Sequence, residues 1–473
     1  MSTQPNIIWL TLDSVRADRT SMAPEARDTT PNMQRIANLA DGQAFTNCIT
    51  HAMWSLPSDA SMLTGTYPSY HGTGLWNEVL PEEIPTVAER FSDLGYHTAG
   101  VSQNAYCSDS TGLSRGFDQF DLVNKSDFLS TVGVRTLLKY ALKLRTHSGG
   151  YTLSTDQHRT DYLALDLAKR RLRSFQGSEE PFFMFVHTLG AHLPYAPPLS
   201  FRDTFTDTLE QTTDEAIETA VEVSSNHYRS TASGCDFSDR TDNALAAMYD
   251  GLMSYTDWYV GQFFEYLNSL DLGPTVFVVT GDHGDLLGED DVLGHQLSLH
   301  DGLVNVPMVV HGLQSLADLP ADTLLQHIDV MQALLLEAGA SPDSLDGFQG
   351  QDPRADPRTY ALSQRGNDTY ETAITQMTEH DPTVDTDRYH SGLLHALRGK
   401  RFKFLQSEQG SQLYKLPDEQ TDVLELYPSV AAEYRAAFEE AINRVGESQS
   451  TDTQRTMTDE MKDHLADLGY VTD

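Results

Sequence analysis

Short apolar runs bounded by turn residues recur along the chain at residues 7–12, 97–102, 182–186, 275–280 and 306–310. They are continuous rather than alternating, which predicts strands buried on both faces. Between them the apolar spacing becomes helical, over 33–40 before Gly42, 87–94 before Gly95 and 330–338 before Gly339. A longer helix is predicted over 243–270, where Leu245, Met248, Tyr249, Leu252, Tyr255, Tyr259, Phe263 and Leu267 form one stripe. Such a stripe reads as core rather than ligand site. This alternation predicts an α/β fold, a large mostly parallel central sheet sandwiched by helices. Residues 125–157 and 200–241 are polar and weakly periodic, and read as insertions or lids. From about residue 356 the pattern changes to short strands, 360–363 and 402–405, followed by helices near 431–445 and 458–468. The expected division is therefore a catalytic α/β domain over 1–355 and a smaller C-terminal α+β subdomain over 356–473.

Composition narrows the partners. The chain of 473 residues carries 69 Asp and Glu against 32 Lys and Arg, a formal charge of −37, and only eight of the basic residues are lysine. A field of that sign repels nucleic acid and anionic surfaces, so no nucleic-acid partner is expected. The acidity is spread along the chain beside 9% aromatic content, which fits a folded halophile-type surface rather than a disordered acidic tail. Cys48, Cys107 and Cys235 are widely separated and show no metal-ligand or disulfide spacing. With no basic leader and no apolar stretch of spanning length, a cytoplasmic protein without a membrane span is expected. Oligomeric state cannot be read.

Candidate chemistry lies where buried strands end, because ligands of parallel α/β sheets gather at the carboxyl edge. The first run ends on Asp13, and the run over 275–280 ends on Gly281-Asp282-His283-Gly284-Asp285. Two carboxylates and an imidazole suit one divalent cation, with Mg, Mn, Ca and Zn not distinguished. Singly, Asp13 reads equally well as a helix cap and the Gly-Asp-His-Gly sequence as a turn. A third motif, Trp54-Ser55-Leu56-Pro57-Ser58-Asp59, places Ser55 at the start of a short helix that Gly65 ends. A hydroxyl there is either an N-cap or a nucleophile activated by a neighbouring cation.

Taken in order, these segments resemble sulfatases of the alkaline phosphatase superfamily. The opening Asn6 to Asp18, the Ser55-Leu56-Pro57-Ser58 segment running to Leu63-Thr64-Gly65, and Gly281 to Gly284 are similar to that family's metal and nucleophile motifs. Leu303-Val304-Asn305-Val306-Pro307 resembles the segment that follows, Phe185 to Tyr195 the substrate-side histidine segment, and Leu465 to Val471 the closing residues. The resemblance implies a metal-dependent sulfuric ester hydrolase of haloarchaeal type. Its metal would be held by Asp13, Ser55, Asp282 and His283, with Ser55 the nucleophile. His192 or His295 would protonate the leaving oxygen, and His71, His187 and Trp54 would face a small-molecule or glycan ester.

Departures from that family pattern also carry information. Asp59 stands where the enzymes that convert the nucleophile to formylglycine read an arginine, so an unmodified Ser55 is expected. Ser14 replaces a second aspartate, and no lysine occurs between Lys169 and Lys400 to surround a sulfate. These differences resemble single-metal phosphoglycerol transferases and keep phosphoester or phosphoryl transfer open. Asp291 and His295 have the spacing of a second metal pair but follow the Gly-Asp-His-Gly motif instead of preceding it. A non-catalytic anion- or glycan-binding protein is the remaining alternative.

Overall fold

A computed structural model describes residues 4–24, 26–124, 128–152 and 157–446. The predicted helix over 458–468 and the sulfatase-like closing residues lie outside them. Fourteen strands are formed: β1 Asn6–Leu12, β2 Gly42–Ile49, β3 His97–Ser102, β4 Gln119–Leu122, β5 Phe182–Thr188, β6 Thr275–Gly281, β7 Leu286–Leu287, β8 Leu293–Gly294, β9 Asn305–His311, β10 Leu324–Leu325, β11 Ala361–Arg365, β12 Leu394–Arg398, β13 Phe402–Ser407 and β14 Gly410–Lys415.

Eight of these form the central sheet in the order β10-β2-β9-β6-β1-β5-β3-β4. Every pairing in it is parallel except the two made by β9, which runs against β6 and β2. The five predicted apolar runs are β1, β3, β5, β6 and β9, and their continuity has a direct cause: both faces are covered. Ile8, Leu10 and Leu12 of β1 point into one core with the Asp161–Ser174 and Asp239–Asn268 helices. Ile7 and Trp9 point into the other, beneath the Ser55–Thr64, Val87–Asp93 and His327–Glu337 helices. No residue of β1 is left facing water, and burying such side chains supplies roughly 1.5–3 kcal/mol each.

The strand β2 escaped the sequence reading. Its pattern is half polar near the sheet edge, and Gly42, read as the stop of a helix, begins it instead. The two polar segments read as insertions are largely helical, with Gly133–Leu142 in the first and Thr213–Ser225 and His227–Ala232 in the second. A smaller antiparallel sheet, β11-β12-β13-β14, follows, with the Pro428–Val445 helix against it. β11 is tied to the large sheet's loops: Gln364 N donates to the His51 carbonyl at 2.8 Å and Ser363 Oγ to the Thr50 carbonyl at 2.5 Å. Among the described residues, no helix is long and apolar enough to cross a membrane.

Candidate active site

The parallel strands β1, β5 and β6 are neighbours, so their carboxyl ends deliver Asp13, His187 and Asp282 to one place. Register does this directly: Leu12 of β1 lies beside Thr188 on one side and Gly281 on the other. Asp13, Asp282 and His283 each offer a ligand atom, and these atoms lie within 4.8 Å of one another. All three side chains are fully buried. His283 donates Nδ1–H to the Gly284 carbonyl at 2.8 Å, which turns Nε2 towards Asp13 Oδ1 at 3.5 Å and Asp282 Oδ2 at 3.6 Å.

Ser55 joins this group. It is the first residue of its helix, with Trp54 in the N-cap position and no side-chain cap formed. Its hydroxyl donates to Asp13 Oδ2 at 3.5 Å and lies 3.3 Å from His283 Nε2, so the N-cap alternative is not the conformation adopted. Asp13 likewise caps nothing; its carboxylate accepts from Ser14 Oγ at 3.0 Å and Asn104 Nδ2 at 3.1 Å. Ser14 takes a left-handed backbone, φ 58°, which turns its N–H to Asp282 Oδ1 at 3.2 Å. Gly190 is required across the gap, since a Cβ there would meet the Asp13 carbonyl oxygen at 2.2 Å.

The group extends in both directions. On one side His187 Nε2 lies 3.3 Å from both Asp282 Oδ2 and Asp59 Oδ2, forming a second buried trio. Burial opposes a charge on His187, but Asp59 and Asp282 override it and hold its pKa well above the usual histidine range. Burial pushes Asp59 up to about 6 against the pull of His187. On the other side His295 Nδ1 donates to Asp285 Oδ1 at 2.7 Å, and Tyr195 donates to Asp285 Oδ2 at 3.1 Å. This bond fixes the His295 ring 4.6 Å from His283 and 5.1 Å from His192, centroid to centroid. Burial lowers the His295 pKa more than Asp285 raises it. His192 is oriented by Nδ1–H to the Leu193 carbonyl at 2.7 Å.

Of the residues singled out in the sequence, Asp13, Ser55, Asp282, His283, His187, His192 and His295 thus converge. Two stand differently. Both ring nitrogens of His71 are engaged within its own neighbourhood, by Ser61 Oγ at 3.1 Å and the Thr73 N–H at 3.0 Å, and burial lowers its pKa to about 3. Trp54 packs edge-on against Tyr106 at 5.1 Å. The spacing of Asp291 and His295 does not make a pair: Asp291 is bound by Arg388 at 3.3 Å, while His295 belongs to Asp285. Four members were missed, Asp59, Asn104, Asp285 and Ser14. Asn104 was accessible to the strand-end rule, because it follows β3 as Asp13 follows β1.

Against the buried Asp13, Asp59 and Asp282 stand the imidazoles of His187 and His283, a carboxylate-rich donor set that fits a divalent ion. The pull on His283 has the same origin: burial opposes its protonation, and Asp282 and Asp13 raise its pKa regardless.

A mostly parallel sheet delivering this donor set from its carboxyl edge is the architecture of ester hydrolases in the alkaline phosphatase superfamily. The chain belongs to the sulfatase family, which residues 5–340 match. Among curated relatives it is 24% identical to arylsulfatase K of Xenopus laevis over 329 residues, 65% of this chain and 58% of that protein. It is also 24% identical to the ulvan-active sulfatase of Formosa agariphila over 381 residues, 76% of this chain and 68% of that one. In structure it is similar to the phosphonate monoester hydrolase of Agrobacterium radiobacter, with a TM-score of 0.70 and 21% identity, covering 93% of this chain and 96% of that one.

Proposed function

We propose that this protein is a divalent-metal-dependent sulfuric ester hydrolase in which unmodified Ser55 is the nucleophile. The observation that carries the reading is the meeting of Ser55 Oγ with Asp13 and His283 at 3.5 and 3.3 Å in an anion-rich buried pocket. Asp13, Asp282, His283 and Ser55 would hold the ion, which when bound lowers the Ser55 pKa and offsets charge on the ester's non-bridging oxygens. Ser55 Oγ attacks sulfur in line, its proton passing to an Asp13 oxygen. In its imidazolium form His295, its Nδ1–H held by Asp285, or His192 beside it, donates the Nε2 proton to the departing alcohol oxygen. Water then releases sulfate from Ser55. His187 keeps Asp59 and Asp282 apart in charge and fixes Asp282.

Relatives named arylsulfatase and ulvan-active sulfatase support a sulfated small molecule or glycan as substrate. The division of the chain at residue 355, with 356–473 completing the fold, and a salt-adapted cytoplasmic setting belong to the same reading, the latter supported by the net charge of −37. A second reading, single-metal hydrolysis or transfer of phosphate or phosphonate esters, is favoured by one particular: Ser14 stands beside Asp13 and turns its backbone N–H, not a carboxylate, to Asp282. A panel of aryl sulfate, phosphate monoester, phosphate diester and phosphonate monoester tests this with purified metal-loaded protein. Highest kcat/KM on the sulfate supports the first reading, and highest on a phosphorus ester replaces it with the second. Intact mass of the Ser55 peptide at the unmodified value is required by both.

A further inference from the structure

In a chain of net charge −37, the 28 residues 128–155 contain no Asp or Glu, and four basic residues, Arg135, Lys139, Lys143 and Arg145. The described part of that stretch forms the helices Phe128–Thr131, Gly133–Leu142 and Leu144–His147. The inner side of the second helix is firmly seated. Thr136 Oγ1 and Lys139 Nζ donate to Asp166 at 2.6 and 2.8 Å, Tyr140 OH donates to the Arg159 carbonyl at 2.7 Å, and Leu137 and Tyr140 pack on the core. Its outer side is apolar. Val134, Leu138 and Leu142 follow one another at four-residue spacing, Leu138 61% and Leu142 87% exposed, and Leu129 and Tyr151 of the same stretch are exposed too. Among the described residues, these are five of the eight exposed large hydrophobic side chains.

An exposed apolar stripe of this size is an interaction surface, and the charge around it selects the partner. We infer that this helix is an interfacial docking element for an anionic lipid bilayer, lying in the headgroup plane with Val134, Leu138 and Leu142 towards the acyl chains and Arg135 and Arg145 on anionic headgroups. A second copy fits less well. Stripe-to-stripe contact would oppose two sets of like basic charge, and the rest of the surface offers few exposed large apolar side chains to receive the stripe. The bilayer satisfies both features: the stretch itself carries basic and no acidic side chains, and salt screens the acidic remainder of the surface beyond about 8 Å at physiological ionic strength. The helix also connects to the candidate active site: Arg159, whose carbonyl Tyr140 grips, donates to the carbonyls of Gly190 at 2.7 Å and His192 at 3.2 Å. A docked helix would thus hold the His192 loop in a fixed relation to the membrane.

Flotation of the full chain with phosphatidylglycerol–phosphatidylcholine vesicles and with pure phosphatidylcholine vesicles tests this, in parallel with size-exclusion chromatography. Binding should be at least about tenfold stronger to the anionic vesicles and should fall with added salt. Leu138→Asp with Leu142→Asp should abolish flotation while leaving the melting temperature and turnover of a soluble ester unchanged, and Arg135→Glu with Arg145→Glu should weaken it about tenfold or more. Equal binding to both vesicle types, no binding to either, or a dimer dispersed by the leucine substitutions would overturn the inference. The readout is independent of which ester the enzyme hydrolyses.

Discussion

Two buried charge clusters in this molecule are alike in burial and opposite in closure. Behind the small sheet, Lys403 Nζ lies 2.5 Å from both Asp301 Oδ1 and Glu419 Oε2 and 3.0 Å from the Leu299 carbonyl, with Arg398 Nη2 3.1 Å from Asp301 Oδ2. Two anions meet two permanent cations, and the lysine donates to Glu419 and to the Leu299 carbonyl. At the edge of the large sheet, Asp13, Asp59 and Asp282 meet the imidazoles of His187 and His283, with neutral donors beside them. Burial of charge therefore does not mark function by itself. An unbalanced sign, with an imidazole nitrogen turned inward and a hydroxyl at its side, does.

The largest effect expected from breaking this contrast is at Ser55. Ser55→Ala should lower kcat by about 10⁴-fold with metal content retained, measured on the preferred ester; turnover near wild type would remove Ser55 from the mechanism. In the closed cluster the effect should fall on stability instead. Lys403→Met strands the buried Glu419 carboxylate and leaves Asp301 to Arg398, and should cost about 3–5 kcal/mol in urea unfolding while turnover per folded molecule stays unchanged.

Removing one anion from the open cluster should be milder for the fold and costly for the metal. Asp13→Asn is expected to reduce kcat by at least about 100-fold and to lower bound divalent metal by elemental analysis, with little change in unfolding midpoint. The smallest effect belongs to Glu289, which sits at the margin between open and closed. Burial alone would raise its carboxyl, but Arg16 at 2.8 Å holds it at about 2 against an ordinary 4.5. A depressed carboxyl contributes stability fully above pH 4.5 and loses it as pH falls towards 2. Glu289→Gln should therefore cost about 2 kcal/mol at neutral pH, and the difference from wild type should vanish across that acid window.

Much of this was legible in the sequence where burial on both faces left a continuous apolar run. β1, β3, β5, β6 and β9 declared themselves, and the strand-end rule then found Asp13, Asp282 and His283. Legibility failed where neighbours rather than local pattern decide. β2 is half exposed and β10 has two residues, so neither imposes a period on the chain. Asp59 read only as the absence of an arginine. Its signal was the helix around it, in which Ser55, Ser58, Asp59 and Ser61 are all buried, but burial of a polar residue becomes visible only once the partner across the sheet, His187, is in place. His71, conversely, was singled out for its motif, yet its two nitrogens are consumed by Ser61 and Thr73.

The reversed direction of β9 has a consequence for how this enzyme could change. Because β6 ends and β9 begins at the same edge of the sheet, the chain that loops out beyond Asp282 and His283, residues 285–302, leaves and returns without crossing to the far side. Its two feet are clamped together by Gly284 N to the Leu303 carbonyl at 2.8 Å. The span carries Asp285 and His295 yet adds no strand to the large sheet, so a change in its length leaves in register the strands that set Asp13, Asp282 and His283.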